Sequence, residues 1–165
     1  MVTEFPTKEA VIHKLDSLID EIQALQSKLI LVIAPPRFGK TQVLREVAAR
    51  RGAKVLNVGA ELGGRLAALP AKERKLKALE ILRGLADEYA SGDLLLLDNI
   101  ELLFDQTLKL DPLALLKRHA HSRRVVAVWP GEIHNGRLIY AELVHPEYQD
   151  YGLDGLVPLD LEKIG

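Results

Sequence analysis

One stretch near the N-terminus, residues 29–50, restricts the fold of this chain more than any other part. The run 29–33 (Leu-Ile-Leu-Val-Ile) is apolar throughout, which predicts a strand buried on both faces, as in a parallel sheet. Residues 34–41 (Ala-Pro-Pro-Arg-Phe-Gly-Lys-Thr) follow at once. From Thr41 onward the apolar residues recur at helical spacing. The order of strand, glycine-lysine loop and helix predicts an α/β fold with an anion-binding loop at the end of a strand.

We call residues 34–41 the phosphate-loop segment, because its residue types match the Walker A motif. Four residues between Ala34 and Gly39 let successive N–H groups point inward around a phosphate, and Gly39 leaves room for the turn. Lys40 then reaches the β- and γ-phosphates, and the Thr41 hydroxyl supplies one oxygen ligand to Mg²⁺. The helix adds free N–H groups and the positive end of its dipole. ATP and Mg²⁺ are therefore the expected ligands.

Two departures from the commonest Walker A pattern affect which groups can bind the anion. Ala34 stands where glycine is usual, a replacement that the broader motif accepts. Pro35 and Pro36 have no N–H, so main-chain donors are expected only from Arg37 onward. The alternative is an ordinary strand-to-helix turn that happens to contain Gly-Lys-Thr. The expected nucleotide-binding residues are Pro36, Arg37, Phe38, Gly39, Lys40, Thr41 and Gln42.

The second motif is the run 94–99 (Leu-Leu-Leu-Leu-Asp-Asn). A buried strand that ends in a carboxylate is what a Walker B aspartate requires, so Asp98 is expected beside the phosphate-loop segment, where it holds Mg²⁺ together with Thr41. A strand and a helix between the two motifs favour the additional-strand branch of P-loop ATPases. A glutamate commonly follows the aspartate in that branch, but here Asn99 can orient water without accepting its proton. Glu101 is the nearest candidate base, or else a surface acid.

The other predicted elements place these motifs in one sheet. Apolar residues with a period near 3.6 predict an amphipathic helix over 7–27, and 54–58 predicts a second strand after which Gly59 begins a loop. The long helix 70–90 is basic, either as a solvated face or as a surface for a phosphate backbone. Its expected buried stripe is Leu76, Leu79, Leu82, Leu85, Ala86 and Tyr89. Helix 112–121, strands 125–129 and 138–143, and a tail over 145–165 follow.

These elements predict a three-layer α/β/α fold of the P-loop NTPase class, with a five-stranded, mainly parallel sheet and an AAA-like core without a helical lid. Trp129-Pro130-Gly131 stands where AAA-type ATPases place a polar sensor of the γ-phosphate. Arg137 precedes the predicted last strand, where an oligomeric ATPase presents an arginine finger to its neighbour. A surface arginine is the alternative for Arg137, and Arg123 and Arg124 are weaker candidates. The expected catalytic residues are Lys40, Asp98, Asn99, Glu101 and Arg137.

Length and composition fit one domain with its own core, over residues 1–165. The chain is 48% hydrophobic, and its net charge of −1 argues neither for nor against binding to DNA. It has no cysteine, which excludes disulfides and thiolate metal sites and is compatible with a reducing cytoplasm. Residues 1–6 do not have the pattern of a signal peptide, and no apolar run approaches the length of a membrane span. We expect a cytoplasmic protein without a membrane partner.

Residues 34–41 and 94–104, together with the small core that lacks a lid, resemble the BrxF family, the P-loop proteins of type 3 BREX bacteriophage-defence systems. The similarity extends over nearly the whole chain, including 129–131 and 138–148. The Walker motifs are shared with many ATPases, so size and the later segments carry the narrower assignment. The resemblance implies an ATP-binding accessory protein that works with other BREX proteins, which include a DNA methyltransferase.

Three functions remain open from the sequence. The first is a Mg-ATP hydrolase whose turnover is coupled to assembly into a homo-oligomer or to DNA-associated partners. The second is a nucleotide-binding switch with little hydrolysis, which Asn99 and the unusual sensor favour. The third is a small-molecule kinase, which the lack of an evident acceptor site or lid disfavours.

Overall fold

The computed structural model describes residues 7–26, 28–34, 39–140 and 149–161, and it contains five helices of the α type and eight strands in this part of the chain. The helices are α1 (Lys8–Glu21), α2 (Lys40–Arg51), α3 (Val58–Ala67), α4 (Ala71–Tyr89) and α5 (Pro112–His119). The strands are β1 (Leu29–Ile33), β2 (Val55–Asn57), β3 (Leu94–Asp98), β4 (Arg124–Val128), β5 (Glu132–His134), β6 (Arg137–Tyr140), β7 (Gln149–Tyr151) and β8 (Val157–Asp160).

Five of the strands form a fully parallel sheet in the order β2-β3-β4-β1-β8. Strand β4 therefore lies between β1 and β3, the strands that carry the two predicted motifs. Parallel neighbours need crossover connections, and here helices supply most of them. The predicted α/β class and five-stranded sheet are confirmed, and a strand from later in the chain separates the two motif strands.

The sheet is covered on both faces, which explains why its central strands are apolar at every position. Ile30 and Val32 of β1 pack on the side of α1 and α2, whereas Leu29, Leu31 and Ile33 pack on the side of α3, α4 and α5. All five residues are buried. No helix in the described ranges has both the length and the apolar character needed to cross a membrane.

Helix α1 is fixed along α2 by apolar packing and by ion pairs. The Thr7 hydroxyl begins α1 by accepting a hydrogen bond from the Ala10 amide (3.1 Å). Arg50 pairs with Glu9 (2.7 Å) and Arg51 pairs with Asp16 (2.6 Å). Exposed ion pairs of this kind contribute little, so the apolar contact provides most of the stabilisation. The residues that form it include Val11, Ile12, Leu15, Val43, Leu44 and Val47.

The fifth strand of the main sheet is not the predicted one. Residues 137–140 instead form β6, the centre of a separate antiparallel sheet with β5 and β7, and residues 141–143 lie outside the described ranges. The turn Asn135-Gly136, with φ of 51° and 73°, joins β5 to β6 as a two-residue hairpin. The main sheet is completed by β8, from the segment predicted to be a tail. Pro158 is tolerated there because β8 is an edge strand.

Two further predictions of local structure were wrong. A helix, α3, replaces the loop expected from Gly59 onward, and the Asn57 side chain caps it by accepting from the Ala60 amide (3.0 Å). The buried face of α4 is also rotated from the predicted stripe, because Leu76 and Leu79 are 74% and 39% exposed. The residues of α4 that are buried are Ala78, Leu82, Leu85 and Ala86.

Aromatic contacts attach the small antiparallel sheet to the main one. The indole N–H of buried Trp129, just after β4, donates to the Ile139 carbonyl (3.0 Å). Phe104 stacks on Tyr140 with ring centroids 3.7 Å apart. Gly131 makes this approach possible, because a Cβ there would overlap the Ile139 carbonyl oxygen and lie 2.9 Å from the Trp129 nitrogen.

We expect Gly131→Ala to lower the free energy of unfolding by about 1–3 kcal/mol, because the added methyl forces the main chain of β6 away from Trp129. Gly84→Ala is the matched control, since a Cβ on Gly84 meets no atom within 4 Å and lies inside α4. It should raise stability by about 0.5–1 kcal/mol through helix propensity. Urea denaturation measures both changes, and a destabilised Gly84→Ala together with a neutral Gly131→Ala would contradict this packing.

Candidate functional site

Polar side chains collect where the central strands of the parallel sheet end. The carboxyl ends of parallel strands lie at one edge, where open α/β sheets bind ligands. Lys40 follows β1 through the phosphate-loop segment, Asp98 ends β3, and Trp129 follows β4. Asn57 ends β2 at the same edge, in register with Asp98. Functional groups from the ends of four strands are therefore brought together at this edge of the sheet.

Lys40 connects the ends of β1 and β4. It is the first residue of α2, directly after Gly39, whose φ of 86° is readily adopted only by glycine. The Lys40 ammonium donates to the carbonyl oxygens of Ala34 (3.0 Å) and Trp129 (3.2 Å). Burial lowers the pKa of Lys40, and the negative charges of Glu101 and Asp98 act in the opposite direction. The ammonium is thus held by neutral carbonyls in a partly desolvated position.

Thr41 and Asp98, predicted to share a metal ion, are brought together. The Thr41 hydroxyl donates to Asp98 Oδ1 (3.3 Å), which also accepts from the Asn99 main-chain N–H (2.9 Å). Asp98 is only 8% exposed, and no described residue donates a hydrogen bond to its Oδ2. A hydroxyl and a carboxylate are the hard oxygen ligands that suit Mg²⁺, so the residues present fit that ion.

A cation at Thr41 and Asp98 would need further oxygen ligands. Within the described ranges, no three histidine or acidic side chains are grouped so that they could hold a metal. Mg²⁺ commonly keeps several waters and binds one or two protein oxygens together with substrate phosphates. The sparse donor set therefore suits a metal that arrives with a phosphate ligand better than a permanently bound metal.

Asn99 is held in a strained position by a neighbour that the sequence interpretation missed. Its φ is 54°, and its side-chain amide donates to Asn57 Oδ1 (3.0 Å). The Asn99 carbonyl accepts from the Gly59 N–H (2.9 Å). A Cβ on Gly59 would overlap the Asn99 amide nitrogen and lie 2.9 Å from its Cγ. An asparagine at the end of a strand is a recognisable N-cap signal, and it identifies Asn57 in retrospect.

Of the remaining predicted site residues, the structure describes some and leaves others outside its described ranges. Glu101 is exposed at the start of a 3-10 helix, Glu101–Phe104, and its charge acts on the Lys40 ammonium. Gln42 is exposed in the first turn of α2, where its amide donates to Glu46 (3.1 Å). Pro36, Arg37 and Phe38 lie outside the described residues, so their contribution stays a prediction.

The positional reason for assigning an arginine finger to Arg137 was wrong, because β6 is not the last strand of the main sheet. The guanidinium of Arg137 instead pairs with Asp150 of the neighbouring strand β7 (2.7 Å). The other candidates lie at or just before the start of β4, the opposite end from Trp129. Arg123 bonds to Asp87 (2.8 Å), and Arg124 donates to both oxygens of Asp93 (2.9 and 2.7 Å).

The described arrangement of Lys40 and Glu101 can be tested by measuring how the pKa of Lys40 changes when the Glu101 charge is removed. We expect the ammonium of native Lys40 to titrate below 10.5, and Glu101→Gln to lower this pKa further by removing a negative charge that raises it. Between the lowered pKa and 10.5 the folded chain binds fewer protons than the unfolded one, so Lys40 makes stability increase as the pH rises through that window. Side-chain ¹⁵N NMR follows the titration.

The control for this titration is Glu80→Gln, which removes a carboxylate of α4 that pairs with Lys77 and has no part in the Lys40 shift. It should leave the Lys40 titration where it is in the native protein. A pKa that rises in Glu101→Gln, or that moves equally in both variants, would contradict the described arrangement.

Gly59→Ala should displace the Asn99 side chain, because the new methyl occupies the position of its amide. We expect the Asn99 side-chain NH₂ signals in a ¹⁵N–¹H spectrum to shift and broaden, and stability to fall by about 1–3 kcal/mol. Gly64→Ala, also in α3, is the control because a Cβ there meets no atom within 4 Å. Unchanged Asn99 signals in Gly59→Ala would show that the two residues are not in contact.

Comparison with known proteins gives this site no assigned counterpart. No protein-family model matches the sequence, and no curated protein matches it. A function for the chain therefore has to follow from the side chains at this edge of the sheet.

Proposed function

We propose that this chain binds Mg-ATP at the carboxyl edge of its parallel sheet and hydrolyses it, as a P-loop NTPase. The contact between Thr41 Oγ1 and Asp98 Oδ1 (3.3 Å) carries the proposal, because these residues are 57 positions apart and meet beside the Lys40 ammonium. The position of β4 between the two motif strands is the arrangement expected of the additional-strand ATPases. The left-handed Gly39 before Lys40 further supports an anion-binding turn.

Lys40 has the chemistry required of a phosphate-binding group. Its ammonium donates hydrogen bonds to two carbonyl oxygens. A phosphate oxygen is a charged and therefore stronger acceptor, which can replace a carbonyl oxygen. In the partly buried position, its charge would stabilise the negative charge that spreads over a phosphoryl group during transfer. The first N–H groups of α2, which a helix leaves without main-chain acceptors, add donors at the residue where Lys40 begins that helix.

Thr41 and Asp98 would hold Mg²⁺, which when bound neutralises phosphate charge and orients the phosphate oxygens. Asp98 is already oriented for this by the Asn99 N–H and the Thr41 hydroxyl. The Asn99 carboxamide can hydrogen-bond an attacking water but cannot take its proton. The exposed carboxylate of Glu101, close enough to act on Lys40, is then the proposed proton acceptor.

A second candidate function, a nucleotide-dependent switch with little hydrolysis, is favoured by two observations. The Asn99 side-chain amide already donates one hydrogen bond to Asn57 Oδ1, which restricts how this side chain can orient a water. No carboxylate stands directly after Asp98, where a general base is commonest in such ATPases. ATP binding without fast turnover would then report occupancy of the site to partner proteins.

We further propose, from the sequence resemblance to BrxF, that the chain acts in the cytoplasm as an accessory of a BREX bacteriophage-defence system. A second copy of the chain or other BREX proteins are the proposed partners, with DNA contacted directly or through them. In that setting the partner could complete the site, since Arg137, Arg123 and Arg124 are engaged in ion pairs within this chain.

Phosphate release from Mg-ATP, measured over a range of protein concentrations, tests the proposed hydrolase. We expect native activity that Lys40→Ala and Asp98→Asn each reduce by about 10²-fold or more, because each removes charge that acts on the phosphates or the metal. Lys14→Ala is the matched control, since Lys14 is an exposed lysine of α1. A specific activity that rises with protein concentration would indicate a site completed by a second copy.

The outcomes distinguish the two candidate functions. Equal background phosphate release from native protein and Lys40→Ala would exclude hydrolysis by the isolated chain. ATP binding that persists in the native protein and is lost in Lys40→Ala would then leave the switch. Absence of both binding and hydrolysis would overturn the proposed nucleotide site.

A further inference from the structure

We propose that Lys8, in the first turn of α1, is a second phosphate-contacting lysine, whose ammonium helps to hold the polyphosphate chain of the nucleotide. This inference rests on the proposed function and assigns to that site a residue from outside both sequence motifs. Helix α1 would then contribute to the choice of nucleotide, since an added positive charge favours ligands that carry more phosphate groups.

Lys8 lies directly at the turn that leads into α2. A Cβ built on Gly39 would be 3.6 Å from both the Cε and the Nζ atoms of Lys8. Gly39 immediately precedes Lys40 and the first N–H groups of α2, which are the anion-binding groups of the proposed site. The Lys8 ammonium is therefore close to the residue from which α2 and its first N–H groups begin.

The charge of Lys8 is not neutralised within the described part of the chain. No carboxylate there forms an ion pair with it. Its neighbour Glu9 is engaged elsewhere, because both Glu9 oxygens accept from the Arg50 guanidinium (2.7 and 3.0 Å). An exposed cation without an ion-pair partner is available to attract a bound polyanion.

Helix stability does not explain a lysine at this position. The first turn of a helix carries the positive end of the dipole, where a cation is unfavourable and an acid is preferred. Thr7 already caps α1, so Lys8 has no capping role. Moreover α1 is held along α2 by Arg51, which bonds to Asp16 (2.6 Å) and Asp20 (2.9 Å). Ion pairs and apolar contacts thus hold α1 on α2 without the Lys8 charge.

The test compares nucleotide affinity in native protein and in Lys8→Gln, by displacement of a fluorescent ATP analogue with ATP, ADP or AMP in the presence of Mg²⁺. We expect Lys8→Gln to weaken ATP binding by about three- to tenfold at low salt, which corresponds to one partly exposed charge at short range. The loss should be smaller for ADP and smallest for AMP, and it should shrink in high salt because exposed charges are screened. Lys8→Arg should restore most of the affinity.

The control is Lys14→Gln, which removes another exposed lysine from the same helix and should leave all three affinities unchanged. Lys40→Ala separates this inference from the proposed function. If Lys40→Ala loses ATP affinity while Lys8→Gln binds like native protein, the role of Lys8 is overturned and the nucleotide site stands. If native protein binds none of the nucleotides, both fall. An equal loss for ATP and AMP, or one unchanged by salt, would also overturn the phosphate contact.

Discussion

The burial of both faces of the parallel sheet is the constraint on which the other features depend. Strand β1 is flanked by β4 and β8 and packed between helices, so its side chains have no contact with solvent. Polar groups can then be accommodated only where strands end, and Asp98 is the one polar or charged residue among the described ones that is classed as buried. Its burial is tolerated because Thr41 and the Asn99 N–H donate to it.

The local parts of this arrangement could be predicted because they depend on neighbours in sequence. The bounds of β1, 29–33, agree with prediction, since five consecutive apolar residues stand between Lys28 and the phosphate-loop segment. Strand β3 ends at Asp98, one residue before the end of the predicted run 94–99. The pairing of Thr41 with Asp98 was expected from chemistry rather than periodicity, because it needs β1 and β3 in one sheet with their ends at the same edge.

The parts that escaped prediction depend on contacts between distant segments. Strand β8 has four residues and includes Pro158, so its local pattern is weak and only pairing with β1 defines it. Lys8 approaches Gly39 through the packing of α1 on α2, which no spacing within 7–27 specifies. Leu76 and Leu79 fit a helical repeat but lie outside the face of α4 that meets the sheet. Periodicity indicates that a helix has an apolar face better than it indicates which residues at the margin of that face are buried.

The Lys40 ammonium donates two of its three N–H groups to carbonyl oxygens, so an anion bound there, as proposed, would use the remaining N–H or replace a carbonyl. An anion that replaced the Ala34 or Trp129 carbonyl would leave it without that donor, and each lost hydrogen bond costs about 0.5–1.5 kcal/mol. The free energy of binding of such an anion would be less favourable by this cost. The Trp129 indole also donates a hydrogen bond to Ile139 of the small antiparallel sheet. A shift of the Trp129 main chain would therefore alter the contact between the two sheets. Replacement of the Trp129 carbonyl would thus change how β5, β6 and β7 are held on the main sheet.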